Sequence, residues 1–178
     1  TINKQVKLIE KLVNEFSDFA RMPKPIFKKN ELNKIIKDSI NLMKMNDKDI
    51  AINFFSKNVF YVNSDIEQLN RVFINLFKNS IESLKEKHEK KGDFQKKIDV
   101  EIQLINDYIN ILVQDNGIGF TNDDLRIFSK PYFTTKKEGS GLGLSIVEKI
   151  LNDHNGFIEF ISQKEGAKIK ILLPKYVN

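Results

Sequence analysis

Asn75 and Asn79 stand four residues apart in Asn75-Leu76-Phe77-Lys78-Asn79, a spacing that in a helix sends both carboxamides from one face. An amide oxygen suits magnesium, a hard cation that takes oxygen donors and keeps several waters when it sits beside phosphates. A second cluster, Asp115-Asn116-Gly117-Ile118-Gly119-Phe120, sets a carboxylate beside two glycines and two apolar side chains. Such a carboxylate, at the rim of an apolar slot, can accept from an exocyclic amine such as that of adenine. The glycines let a flat ring come close to the backbone. The third cluster, Gly139-Ser140-Gly141-Leu142-Gly143-Leu144, runs into a helical pattern. Bare N–H groups at a helix start form an anion site for phosphates, and Lys136 and Lys137 just ahead could reach the outer ones.

Taken singly, each cluster has an ordinary reading. Two asparagines can decorate a polar helix face, although their poor helix propensity makes the pair informative. Asn116-Gly117 alone would be a hairpin turn, and the glycine run alone a flexible loop. The glycine run is not a Walker A loop, because no Lys-Ser/Thr pair follows it, and it lacks the dinucleotide-binding spacing. Five of the eight glycines fall between positions 117 and 143, however, which a purely structural role explains poorly.

The elements that must position these residues read as follows. Ile2, Val6, Ile9, Val13, Phe16 and Ala20 recur at spacings of four and three, a seam for helix-on-helix packing, and Leu8, Leu12 and Phe19 widen it. Pro23-Lys24-Pro25 breaks that helix and marks a boundary. A strand near Ile26–Lys28 comes next, then a helix carrying Leu32, Ile35, Ile36, Ile40 and Met43, and strands at Ile50–Phe55 and Val59–Val62. Ser64-Asp65-Ile66-Glu67 reads as a capping box for a helix running to about Glu86. That helix carries Leu69, Phe73, Leu76 and Leu84 on one side and Arg71, Asn75, Asn79 and Glu82 on the other. Alternation in Ile98–Leu104 and Ile109–Val113 about Asn106-Asp107 predicts a hairpin whose second strand ends at Asp115. Thr121-Asn122-Asp123-Asp124 reads as the cap of a short helix. A helix from about Gly141 to His154, stopped by Gly156, and strands at Phe157–Ser162 and Ala167–Leu173 complete the chain. The expected fold class is α+β, a two-layer α/β sandwich with a mixed, mainly antiparallel sheet, preceded by one long helix.

Composition bounds the setting. The 178 residues are 40% hydrophobic and 30% charged, as in a soluble globular chain. Cysteine is absent, which removes disulfides and thiolate metal sites and fits a cytoplasmic domain. No run approaches the ~20 apolar residues that span a bilayer. The chain opens on Thr1, which fits a segment of a longer protein whose membrane anchor, if it has one, lies outside. The net charge of +5 invites a nucleic-acid reading, but only Arg21, Arg71 and Arg126 are arginines. The lysines alternate with acids, as in Lys85-Glu86-Lys87-His88-Glu89-Lys90-Lys91, and no aromatic-interleaved basic strip is present. No nucleic-acid partner is expected.

Together the clusters resemble the ATP-binding domain of sensor histidine kinases, within the superfamily of gyrase, heat-shock and mismatch-repair ATPases. Asn75–Asn79 resembles its N box, and Asp115–Gly119 and Gly139–Leu144 its two glycine boxes. Phe128-Ser129-Lys130-Pro131-Tyr132-Phe133-Thr134-Thr135-Lys136 resembles the F box and the start of the ATP lid. Residues 1–25, ending Phe19-Ala20-Arg21-Met22-Pro23-Lys24-Pro25, resemble the second dimerisation helix and exit linker of NtrY-type nitrogen sensors, with residues 26–178 as the catalytic domain. The resemblance implies the Bergerat fold, with ATP and Mg²⁺ as cofactors. By motif position Asn79 holds the metal, Asn75 lies on the phosphate side, and Asp115 binds the adenine amino group. Gly117, Ile118 and Gly119 shape the base slot. Lys136 and the backbone of Ser140, Gly141, Leu142, Gly143 and Leu144 contact the β- and γ-phosphates, with Glu82, Thr134 and Thr135 also among the nucleotide-lining positions. Hydrolysing relatives have glutamate at the place of Asn75, and an amide cannot act as general base for water, so Asn75 and Lys136 point to phosphoryl donation.

The family's phosphoacceptor histidine, on a first dimerisation helix, has no counterpart here. His88-Glu89 continues into Lys90-Lys91-Gly92, and His154-Asn155-Gly156 closes a helix where a charged imidazole would meet the dipole. The expected protein is therefore a histidine-kinase catalytic domain that does not phosphorylate itself. Its expected partners are a homodimer mate through the N-terminal helix and a response regulator. Two other readings stay open: an ATPase of the same superfamily, or a module whose ATP-ordered lid controls docking without phosphoryl transfer.

Overall fold

The computed structural model describes residues 6–7, 9–10, 13–14, 16–17, 20–120 and 141–177. The described residues between 6 and 20 are helical. Beyond the prolines come β1 (Lys28–Glu31), α1 (Leu32–Asn46), β2 (Ala51–Ser56), β3 (Tyr61–Ser64), α2 (Ile66–Lys91), β4 (Lys97–Ile105) and β5 (Tyr108–Asp115). After the second glycine cluster follow α3 (Leu142–Asp153), β6 (Phe157–Ile161) and β7 (Lys168–Pro174). Five strands form one sheet in the order β2-β4-β5-β7-β6, with β2 parallel to β4 and every other pair antiparallel. β1 and β3 form a separate antiparallel pair.

One core joins the layers. Period-two residues Ile98, Val100, Ile102, Ile109, Ile111, Val113, Ile169 and Ile171 bury one face of the sheet. The three helices lay their apolar stripes on it, with α2 contacting both α1 and α3. Phe73, Leu76, Phe77 and Leu84 of α2 are fully buried, so this long helix is gripped along its length. The expected two-layer α+β architecture is the one observed.

Several boundaries shift for local reasons. The N-cap of α2 is Asp65, whose Oδ1 accepts from Glu67 N–H at 3.0 Å and Gln68 N–H at 3.1 Å, whereas the buried Ser64 takes the Asn30 amide on its carbonyl and hydroxyl. The helix passes Glu86 and ends only where Gly92 adopts φ 82°, so the charged run holding His88 is helical rather than a loop. α3 ends in a Schellman arrangement with Asn155, at φ 55°, in the left-handed position. Gly156 N–H reaches Leu151 O at 2.7 Å, so Gly156 supplies the closing bond rather than the turn conformation. The expected strands near Ile26 and Val59 begin two residues later, at Lys28 and Tyr61. The cap expected at Thr121–Asp124 lies outside the described residues.

Candidate functional site

Asp115 ends β5 with a side chain only 4% exposed. Its Oδ1 accepts from Gly117 N–H at 2.9 Å and Ala167 N–H at 3.2 Å, while its own N–H donates to Ala167 O at 3.0 Å. Burial pushes the carboxyl above its ordinary range, against the Gly117 N–H, the Ser80 hydroxyl, the Ala167 N–H and the charge of Lys87. The carboxylate is thus held by donors on one side and shielded from water. It can accept one further donor from a ligand.

The loop after Asp115 is seated directly on α2. A Cβ on Gly117 would overlap the Ser83 hydroxyl and lie 2.9 Å from the Ser83 carbonyl carbon. Ile118 N–H donates to Ser83 Oγ at 3.0 Å, and the Ile118 side chain stays exposed. Gly119, at φ 85°, lies against the carbonyl of Gly166, and the Phe120 ring meets Phe160 edge-on at 5.8 Å. A rigid helix and the β6–β7 turn therefore clasp the cluster from both sides.

The second glycine cluster meets the other end of the same helix. Gly141, at φ 69°, is the N-cap of α3, and Leu142 plugs into the core at 3% exposure. Gly143 and Leu144 form the first turn, and a Cβ on Gly143 would lie 3.2 Å from Asn75 Oδ1. Asn75 Nδ2 donates to Arg71 O at 2.8 Å, which turns its oxygen toward α3. Asn79 is half-buried one turn further along, and Glu82 is exposed. Thr134, Thr135, Lys136, Lys137 and Ser140 lie outside the described residues.

These elements bring Asn75, Asn79, Asp115, Gly117, Gly119, Gly141 and Gly143 along one side of α2. Among the described residues no three His, Cys, Asp or Glu side chains gather as a metal site. A cavity of about 600 Å³ lies elsewhere, between Lys48, Ile50, His88 and Phe94, and includes none of the predicted site residues. It lacks the buried carboxylate and the glycine backbones. Sequence reasoning missed Ser80, Ser83, Lys87, Gly166 and Ala167. For the serines and Lys87 a signal existed, in their shared helix face; for Gly166-Ala167 there was none.

His154 departs from expectation. It is 4% exposed, its Nε2 accepts the Asp65 N–H at 3.0 Å, and its Nδ1 lies 2.8 Å from Ile150 O. An acceptor at Nε2 requires the neutral ring with the proton on Nδ1. Burial pushes its pKa below the ordinary value, against the Ile150 carbonyl and the charges of Asp65 and Asp153. The imidazole at this helix end is neutral, and desolvation outweighs the dipole.

The family model described as "Histidine kinase-, DNA gyrase B-, and HSP90-like ATPase" matches residues 64–177. A Rickettsia conorii protein named as an NtrY-like sensor histidine kinase is 36% identical over 165 residues, 92% of this chain and 26% of the relative. The chain thus spans about a quarter of that relative's length. The catalytic domain of histidine kinase ThkA, in a nucleotide-free form, superposes with a TM-score of 0.72 at 27% identity, covering 84% of this chain and 96% of that one. ThkA in complex with response regulator protein TrrA gives 0.76 at 24% identity, over 98% of this chain and 49% of that one, a likeness of fold. From Ser64 onward the match takes in every site element described, and the chain belongs to the histidine kinase-, DNA gyrase B- and HSP90-like ATPase family.

Proposed function

We propose that the chain is the ATP-binding catalytic domain of an NtrY-like sensor histidine kinase, which donates the ATP γ-phosphoryl group to a histidine on a dimerisation helix. One observation carries the reading: α2 touches the first glycine cluster through Ser80 and Ser83 and the second through Asn75. Parts distant in sequence thereby face one space.

In that space Asp115 accepts the adenine amino group, and Gly117, Ile118 and Gly119 leave room for the ring. The N–H groups of Gly141, Leu142, Gly143 and Leu144 meet the phosphates, with Ser140, Thr134, Thr135 and Lys136 beside them. Asn79 would hold Mg²⁺, which offsets phosphate charge when bound. Asn75 orients the phosphate side and, as an amide, takes no proton from water, so this chain's residues favour transfer over hydrolysis. Neither histidine receives the group: His154 is buried with both nitrogens engaged, and His88 sits on α2 beside Asp93.

Residues 1–25 act as a dimerisation helix and linker. Val6, Ile9 and Val13 are each about half exposed, as a seam for packing against a second copy requires. A response regulator is the onward acceptor, in line with the complex solved for ThkA. No helix among the described residues is long and apolar enough to cross a membrane.

The test is titration with a non-hydrolysable ATP analogue and Mg²⁺, comparing wild type, Asp115→Ala and Asn79→Ala. The first variant should lose adenine recognition, and the second mainly the metal-dependent part of the affinity. Incubation with γ-labelled ATP should leave this chain unlabelled. Absence of nucleotide binding by the wild type would overturn the reading.

A further inference from the structure

Ser80, Ser83 and Lys87 lie three and four residues apart on α2, within an arc of about 60° at the helical period. Each engages a different point of the loop that begins at Asp115. The buried Ser80 hydroxyl donates to the Asp115 carboxylate. Ser83 Oγ accepts from Ile118 N–H at 3.0 Å. Lys87 Nζ donates to Asn116 O at 2.6 Å and lies 4.8 Å over the Phe94 ring. On the opposite side Asn116 ties the loop to the start of β4, accepting from Lys97 N–H at 2.9 Å and donating to Gln95 O at 2.8 Å.

A loop with two glycines in its first five residues has wide conformational freedom when untethered. Here its anchor is a helix locked into the core by the fully buried Leu76, Phe77 and Leu84. The three contacts transfer that rigidity to the carboxylate. We propose that Ser80, Ser83 and Lys87 form a positioning rail that fixes Asp115 and thereby sets selectivity for a 6-amino over a 6-oxo purine nucleotide. This rests on the reading of Asp115 as the acceptor for adenine. A fixed carboxylate gains a hydrogen bond from the 6-amino group and repels a 6-oxo oxygen. A carboxylate free to swing away loses the first and relieves the second, so the discrimination shrinks.

Calorimetric titration of the full chain with Mg-ADP and Mg-inosine diphosphate separates positioning from general support of the fold. Ser83→Ala and Lys87→Met should each reduce the ADP-to-inosine-diphosphate affinity ratio roughly three- to tenfold, the scale of one lost hydrogen bond. Weaker ADP binding should account for most of the change. Lys87→Arg, which keeps a donor and a cation over Phe94, should retain the wild-type ratio. An unchanged ratio in Ser83→Ala and Lys87→Met, or parallel weakening of both nucleotides, would overturn the rail while leaving the ATP-binding reading intact. If Ser83→Ala does not fold, Lys87→Met against Lys87→Arg decides alone. Wild type that binds neither nucleotide would remove both proposals together.

Discussion

The first turn of α3 lies so close to α2 that a Cβ on Gly143 would stand 3.2 Å from Asn75 Oδ1. This contact ties the backbone proposed to meet the phosphates to the helix that carries Asn79. Gly143→Ala should raise helix propensity, a gain approaching 1 kcal/mol at an interior position and less in a first turn. It should also push the Asn75 carboxamide aside by a few tenths of an ångström. The thermal midpoint is therefore expected to hold or rise while affinity for Mg-ATP analogues falls severalfold. Unfolding scans and titrations on the same sample check both halves. Equal affinity would show that this approach has no part in binding.

Asp115 stores the opposite compromise. Its carboxylate is buried and its pKa raised by that burial, so the empty domain carries the cost of a desolvated charge. Asp115→Asn keeps an oxygen for the Gly117 and Ala167 N–H groups and removes the charge. The apo protein should melt higher, by roughly 2–4 °C for each kcal/mol relieved in a domain of this size. Adenine affinity should drop at least about tenfold, because an amide donor can face the amino group in place of an acceptor. A lower midpoint would mean that the Ser80 and Lys87 contacts already compensate the charge in full.

Much of this arrangement is legible in the chain itself, and the remainder has a common cause. The hairpin about Asn106, the apolar faces of α1 and α2 and the three clusters all follow from period and residue type, which act locally. Ser80, Ser83 and Lys87 share a face of α2, but only the arrival of the loop that β5 delivers shows what that face meets. Ser64 and Asp65 are equally good caps in sequence, and the Asn30 amide decides between them by engaging Ser64. The surroundings of His154 are not legible in sequence because burial against Asp65 and Phe27 is a tertiary fact, whereas the helix dipole can be read from position alone.

Gly166 shows how much can rest on a residue outside every motif. It adopts φ 70°, and a Cβ there would lie 2.6 Å from the Asp115 carbonyl carbon and 2.8 Å from Asn116 Cα. Gly92 has a similar φ of 82° but open space around it. Gly92→Ala should cost only backbone strain, about 1–3 kcal/mol, because φ 82° with ψ −163° is a conformation nearly reserved to glycine. Gly166→Ala should cost clearly more and displace Asp115 as well, so its midpoint should fall further and its nucleotide affinity should fall too. Similar midpoints for the two variants would contradict the close approach.

The contact of His154 with Asp65 makes stability depend on pH, with a definite sign. In the folded state the ring must stay unprotonated at Nε2 to accept the Asp65 N–H, and burial lowers its pKa below the ordinary 6.5. Above about pH 6.5 both folded and unfolded chains hold a neutral ring, and the contribution is fully present. As pH falls below that value the unfolded chain takes up the proton first, so stability declines until the folded pKa is reached. Asp65 behaves separately. Burial raises its pKa, but the N–H groups of Ile26, Gln68 and Glu67 together hold it below 3.8, so its contribution is lost only at more acidic pH. Because Asp65 Oδ2 also receives Ile26 N–H at 2.9 Å and Gln68 Nε2 donates to Pro23 O at 3.0 Å, this node fastens the Pro23–Ile26 segment to α2. Thermal midpoints measured from pH 7.5 to 5 should fall for wild type and flatten for His154→Gln. Parallel slopes would show that His154 titrates alike in both states, and so carries no such coupling.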